Sequence, residues 1–508
     1  MKKIYLLLTV AAASLFSSCD MDLAPVGSLD DTTAIENVTD LFKARNGIYE
    51  ALRSSATGGN IYYTDLQMDQ FMGLIINGNQ NGNFANGNIF SNNSSIEAIW
   101  AAYYSYIADA NYLLERAAAV LAKDDLSAED RLEAERYVAE TKFARAYYYY
   151  YLFDHFCESY TEAKKDTPAK GIPLVTVFNP TADLAAYPGR STMAETFELI
   201  DKDLKDAYDG LTAYEDAESY AIAPMAAYVN SYTVLALQAR LALLRQDWTT
   251  AISKANEIIN SGYYELADID DYADMWANDA SDELIFRPIS TKTELGISST
   301  GGAYIDGNPE MAYYVPTYSS FYTAYEDGDI RFDVFFKVNS LKANATSYQT
   351  FVFNKYPGNT ALYTGASNNL MNMGKPFRLS EIYLILAEAS CESGDATTAN
   401  KALNAIRSHR IEDYTDQTYS GETLRQEIRG ERAKELIGEG FRMSDLRRWG
   451  LGFTRDSSYP INPSVVEIFT VVDTQVEYKA GDYRYVWPIP STEMENNPQL
   501  KGQQNPGY

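Results

Sequence analysis

The sequence predicts a mostly α-helical domain of antiparallel helix pairs interrupted by long, irregular, partly β insertions. Three observations point there. First, segments 228–260 and 380–408 share one plan: Ala239 and Ala251 stand 12 residues apart around a turn at Gln246-Asp247, and Ala387 and Ala399 stand 12 apart around Gly394-Asp395. Small residues on facing helices let the two backbones approach closely. Second, residues 95–123 and 127–156 read as long helices, the latter opening on Ser127 with Asp130 three positions on, a capping-box-like start. Third, the stretches 55–94, 263–377 and 409–421 carry irregular, turn-rich sequence. Long loops on a rigid helical frame are where binding function concentrates.

In chain order, residues 1–18 read as a secretory signal peptide. Lys2 and Lys3 form its positive end, residues 4–13 its apolar run, and Ser17-Ser18 its small-residue cleavage site. The next residue is Cys19, which marks a bacterial lipoprotein: the cysteine is the expected lipid attachment site. The apolar run is too short to span a bilayer. Residues 19–40 are expected to be a lipid-anchored linker, and 41–508 one helical domain outside the cytoplasm. A first helix is expected over 37–54. Five consecutive tyrosines, Tyr147–Tyr151, would cover every side of the 127–156 helix, so that helix is expected to lie buried among neighbours. The span 140–156 and the span 192–211 would make a third pair, separated by an insertion over 167–180. The helix pairs resemble the tetratricopeptide pattern, although they are not in tandem.

Composition excludes several functions. The formal charge is −28, and two units more negative without Lys2 and Lys3. Such a surface repels nucleic acid phosphates and anionic headgroups. No later apolar run reaches the length of a membrane span. With two histidines, His155 and His409, and no CxxC, a zinc centre or a histidine-based triad has little to draw on. No phosphate-binding loop, HExxH, GxSxG or dinucleotide fingerprint occurs. The acidic run 268–271 lacks the glycine and terminal glutamate of a calcium loop. No metal and no cofactor is expected, and Cys157 and Cys391 are expected as buried thiols rather than a disulfide. The 41 tyrosines suit both a helical core and stacking on sugar rings.

The order of short motifs is specific where each alone is weak. Trp100-x-x-x-Tyr104-x-x-Ile107-x-x-Ala110-Asn111 is followed by Arg190-Ser191-Thr192 and Ile200-Asp201-Lys202-Asp203-Leu204. Next come Glu283-Leu284-Ile285-Phe286, Asp329-Ile330-Arg331 and Arg429-Gly430-Glu431-Arg432. Asp445-Leu446-Arg447-Arg448-Trp449-Gly450 and the closing Gln504-Asn505-Pro506-Gly507-Tyr508 complete the set. With Cys19, this order resembles the SusD/RagB family of outer-membrane nutrient-binding lipoproteins. The resemblance implies a surface-exposed, lipid-anchored protein of the outer membrane. It would bind oligosaccharides without catalysis and deliver them to a SusC/RagA-type TonB-dependent transporter. The RagB-like branch offers oligopeptides as the alternative ligand. Glu435 and Glu439 invite comparison with a glycosidase carboxylate couple. The neighbouring arginines, several at i,i+3 or i,i+4, instead predict a structural ion-pair network that keeps both ionised.

Two segments are the candidate ligand-binding surface. Residues 77–93 hold eight Asn and three Gly, with turn signals at Asn77-Gly78, Asn81-Gly82 and Asn86-Gly87. That composition predicts a shaped loop, neither helix nor strand, with Phe84 and Phe90 as stacking faces and Asn81 and Asn83 as polar clamps. It lies just before the Trp100 helix, where the resemblance implies a ligand-contacting loop. The second segment, 301–325, is rich in rings. The resemblance implies a structural role for 316–331, including Phe321 and Tyr325. Tyr304, Tyr313 and Tyr314 are therefore the expected contacts, with Tyr62 and Tyr63 a weaker third group.

Overall fold

The computed structural model describes residues 34–73, 81–218, 226–305, 312–343, 346–455 and 476–508. The leader and Cys19 lie outside these. The first helix, Val38–Ser55, starts where Asn37 caps it by accepting the Asp40 N–H at 3.0 Å. Helix Ser94–Leu121 is capped by Asn93, which accepts from Ser95 and Ile96. Ser127 accepts the Asp130 N–H at 3.0 Å and opens helix Ala128–Phe156. Its five tyrosines are each no more than 8% exposed, so the helix is buried all round. Buried hydroxyls need partners, and Tyr149 Oη donates to Val175 O at 2.6 Å and Tyr151 Oη to Asn60 O at 3.0 Å.

Helix Met193–Glu218 packs along this tyrosine helix. At their approach a Cβ on Gly210 would sit 2.9 Å from Ala139 Cβ, so only glycine permits the spacing. The two similar segments are helix pairs as expected. Ser231–Leu244 pairs with Trp248–Ile259, and Leu379–Glu392 with Ala396–Ser408. Asp247 and Asp395 cap the second helix of each pair by accepting from Thr250 and Thr398. The preceding residues turn the chain through the left-handed region, Gln246 at φ +60° and Gly394 at φ +90°. Ala239, Ala251, Ala387 and Ala399 are all fully buried. Helices Trp248–Ile259 and Leu379–Glu392 also pack on each other, so the pairs stack in tetratricopeptide fashion.

Among the described residues, the β content is four two-stranded antiparallel ribbons. The longest is the hairpin Phe336–Ala343 with Thr346–Phe353, inside the 263–377 insertion as expected. Within the asparagine-rich stretch one expectation fails. Residues 82–85 form a single helical turn, Gly82–Ala85, entered through Asn81 at φ +56°. Residues 77–80 lie outside the described residues. Both cysteines there are free; Cys157 is buried as expected, whereas Cys391 is only partly so. Among the described residues, no helix is long and apolar enough to cross a membrane.

His155 ends the tyrosine helix, its ring stacked on Tyr151 at 3.9 Å and 4.9 Å from Trp487. Burial holds its imidazole down to about 4. The free group titrates near 6.5, so protonation favours the unfolded chain. Stability is complete above that pH and falls by about 3 kcal/mol as pH drops through this window. Urea unfolding at pH 7 and pH 4.5 should show the loss, and His155→Gln should flatten it.

Candidate ligand-binding site

The second candidate segment forms a ribbon with a strand that precedes the first. Strand Phe71–Gly73 pairs antiparallel with Tyr314–Pro316, in the register Phe71↔Pro316, Met72↔Val315, Gly73↔Tyr314. The turn after the ribbon, Tyr318–Phe321, is fastened by backbone acceptors. Thr317 Oγ1 donates to Asp69 O at 2.9 Å, and Ser320 Oγ donates to Gln70 O at 2.8 Å.

The ribbon is covered on both sides, and this corrects three expected contacts. Tyr314 and Tyr304 are fully buried, and Phe84 is 2% exposed. Tyr304 packs against Phe71 at 4.6 Å and Phe353 at 4.7 Å. Phe84 stacks on Tyr63 at 4.3 Å and meets Trp487 edge-on at 6.0 Å. These rings serve the core because hairpin strand Thr346–Phe353 and the C-terminal segment close over them. A ligand cannot stack on them in this arrangement.

Four expected contacts stay reachable. Phe90 is 61% exposed, and among the described residues no ring packs on it. Asn83 is exposed, Asn81 and Tyr313 partly so. Tyr313 is anchored by its own N–H, which donates to Tyr304 O at 2.8 Å. Tyr62 and Tyr63 are half-buried, packed edge to face at 4.8 Å.

Sequence reasoning assigned Tyr318 and Tyr322 to a structural stretch. In the structure they form a stacked pair at 5.0 Å, and Tyr322 is 47% exposed. Their i,i+4 spacing on a short turn was the available signal. The same turn forms one wall of a cleft of about 550 Å³. Ser319, Ser320 and Thr323 line that wall; Asp69, Gln70 and Arg442 line a second, and Gln426, Glu427 and Lys434 a third. Arg442 pairs with Asp69 at 2.6 Å, Arg407 is shared between Glu427 and the buried Glu431 at 2.7 Å each, and Lys434 is shared among Glu431 at 3.3 Å, Asp329 at 3.7 Å and Glu326 at 3.9 Å. The cleft thus offers hydroxyls and amides, with three cations set against three carboxylates on its lining, a surface suited to an uncharged polyhydroxylic ligand; the ring pair stands on the turn that forms its first wall.

The glycosidase-like carboxylates are committed elsewhere. Glu435 is fully buried and meets Arg378 at 3.0 Å, Arg331 at 3.1 Å and Arg410 at 3.2 Å. Glu439 meets Lys355 and Arg378, each at 2.6 Å. These cations outweigh burial and hold both carboxyls below the usual carboxylate range. A general acid needs the opposite shift.

Comparison with known proteins fits this architecture. Residues 316–508 match the model of the SusD family, and residues 21–241 match one described as starch-binding associating with outer membrane. SusD-like protein P25 of Formosa agariphila is 23% identical, with 95% of each chain covered. SusD-like protein P38 of the same organism is 21% identical, with 97% of each chain covered. The crystal structure of a SusD superfamily protein from Bacteroides thetaiotaomicron superposes with a TM-score of 0.77 at 25% identity, covering 92% of this chain and 100% of that one. A laminarin-binding SusD-like protein superposes at 0.69 and 19% identity, covering 93% and 100%.

Proposed function

The chain belongs to the SusD family, and on that premise we propose that it is a non-catalytic, surface-exposed lipoprotein of the outer membrane that binds oligosaccharides. It passes them to a partner TonB-dependent transporter of the SusC/RagA type. The observation that carries the ligand class is the cleft lined by hydroxyls, amides and as many cations as carboxylates, with the stacked Tyr318–Tyr322 pair on the turn that forms one of its walls. A neutral glycan would lay a sugar face on a ring and exchange hydroxyl hydrogen bonds with the cleft and with Asn81 and Asn83. Tyr313 and Phe90 are further exposed rings for a long chain. Ring contacts contribute about 1 kcal/mol each beyond area burial, and hydrogen bonds about 0.5–1.5. Less the cost of association, a few of these give an affinity in roughly the micromolar to millimolar range. Weak capture suits a protein that must release its cargo.

The formal charge of −28 supports a second reading, a cationic oligopeptide drawn to the surface as a whole. A binding screen of the purified protein against neutral polysaccharides and peptide mixtures separates the two. Incubation with the same glycans and a search for shortened products tests the non-catalytic assignment; product formation would refute it.

In this reading residues 1–18 are removed, Cys19 carries the lipid, and 19–40 tether the 41–508 domain. Cys19→Ala is expected to move the protein from the membrane fraction to the soluble one, because among the described residues no helix is long and apolar enough to cross a membrane in place of the acyl chains. Retention of the variant in membranes, read by fractionation and immunoblotting, would contradict the anchor.

A further inference from the structure

A second cavity, of about 60 Å³, lies inside the molecule and apart from the cleft. The tyrosine helix supplies its floor. Tyr147, Tyr150, Tyr151, Asp154 and His155 recur at i, i+3, i+4, i+7 and i+8, which places them on one helix face. Tyr147, Tyr150 and His155 are 6%, 8% and 6% exposed. The half-buried Asn60, Ile61, Pro376 and Phe441 form the mouth.

Three polar atoms of the floor residues have no protein partner among the described residues, and none of them is sealed from solvent. Elsewhere on the helix the Tyr148, Tyr149 and Tyr151 hydroxyls all donate to backbone carbonyls. Among the described residues, neither Tyr147 Oη nor Tyr150 Oη has a hydrogen-bond partner. His155 Nδ1 lies 2.8 Å from Tyr151 O. A carbonyl only accepts, so Nδ1 carries the proton and Nε2 is left as an acceptor. Nothing among the described residues donates to Nε2. Buried polar groups in native proteins are paired, with protein or with ordered solvent.

The charged groups around the cavity are already matched. Asp154 meets Arg447 at 2.5 Å, Arg240 meets Glu381 at 2.6 Å, Lys375 meets Asp279 at 2.5 Å and Glu439 meets Lys355 at 2.6 Å. An ion entering would find no unbalanced counter-charge. Two hydroxyls that both donate and accept, beside one pure acceptor, complement hydroxyl groups. The volume takes a few waters and excludes a sugar ring. We propose that this cavity is a binding site for a small uncharged hydroxylic ligand, water or a short polyol, held by Tyr147, Tyr150 and His155. The ligand ties the tyrosine helix to the 372–376 and 439–441 segments that close the cavity.

Two high-resolution crystal structures of the full chain test this, one grown without any polyol and one soaked in ethylene glycol. Density within about 3.2 Å of at least two of the three atoms is expected in both. Water in both crystals assigns the site to solvent; the diol in the soaked crystal assigns it to polyols. An empty cavity in both, or an ion in either, overturns the proposal. Tyr150→Phe keeps the ring and should displace the bound molecule from that side; an unchanged position would also overturn it. In solution, the ¹⁵N shift of His155 Nε2 should be that of a hydrogen-bonded acceptor, and the shift of a free lone pair would contradict the site.

Discussion

Replacing Glu435 by glutamine is expected to cost about 3–5 kcal/mol of folding stability, the largest effect of any single substitution in the core. Glu435 sits among Arg331, Arg378 and Arg410, all at most 1% exposed, and accepts the Tyr272 hydroxyl at 3.1 Å. The surrounding network is close to balance, with the exposed Glu326 as one further carboxylate on Lys434 at 3.9 Å. Arg331, Arg378, Arg407, Arg410, Lys355 and Lys434 face Asp329, Glu283, Glu427, Glu431, Glu435 and Glu439. Glutamine keeps the shape but removes the charge, so three buried guanidiniums lose their shared counter-ion. The desolvation already spent on them is then no longer offset. Urea unfolding of wild type and Glu435→Gln, both carrying Cys19→Ala for solubility, measures the difference. A shift under about 1 kcal/mol would mean that water reaches the network and screens it.

The second large effect belongs to the binding surface. Tyr322→Ala is expected to weaken oligosaccharide binding about tenfold, the loss of one stacking face together with its covered area. Tyr318→Ala should act in the same direction, because Tyr318 holds the Tyr322 ring at 5.0 Å. Tyr304→Phe and Phe84→Leu serve as contrasts. Both rings are buried, so these variants should change stability and leave affinity nearly untouched in whatever protein folds. Calorimetric titration with one bound glycan separates the two sets.

The helical frame was legible in the chain because its signals are local. Asn37, Ser127, Asp247 and Asp395 cap helices through their own neighbours within three residues. The small residues at 12-residue spacing marked the helix pairs for the same reason. The ion network was legible in kind but not in its partners. Arg448 does meet Asp445, three residues away, at 2.8 Å, as the local spacing indicated, whereas Arg432 reaches the same carboxylate from 13 residues away at 2.8 Å. Glu435 instead takes arginines brought by three other parts of the chain, which no i,i+4 rule can see. The proposed binding surface includes a turn from the 301–325 segment, but which of that segment's rings reach solvent was not legible. A tyrosine in an irregular segment reads the same whether the hairpin closes over it, as at Tyr304, or leaves it in solvent, as at Tyr322. That outcome depends on how strand Thr346–Phe353 packs against the ribbon some 30 residues earlier in the chain, a long-range fact.

The central claim is a cleft without net charge that takes a neutral glycan. It is tested most directly by titrating the soluble protein with one neutral oligosaccharide at low and at high ionic strength. Salt screens charges over about 10 Å at 0.1 M and leaves ring stacking and hydroxyl contacts nearly unaffected. The expected result is the same Kd at both salts, with Tyr322→Ala weaker by a similar factor at each. An affinity for the neutral oligosaccharide that collapses at high salt, or that is the same for Tyr322→Ala as for the wild type, would contradict binding by stacking and hydroxyl contacts at this cleft.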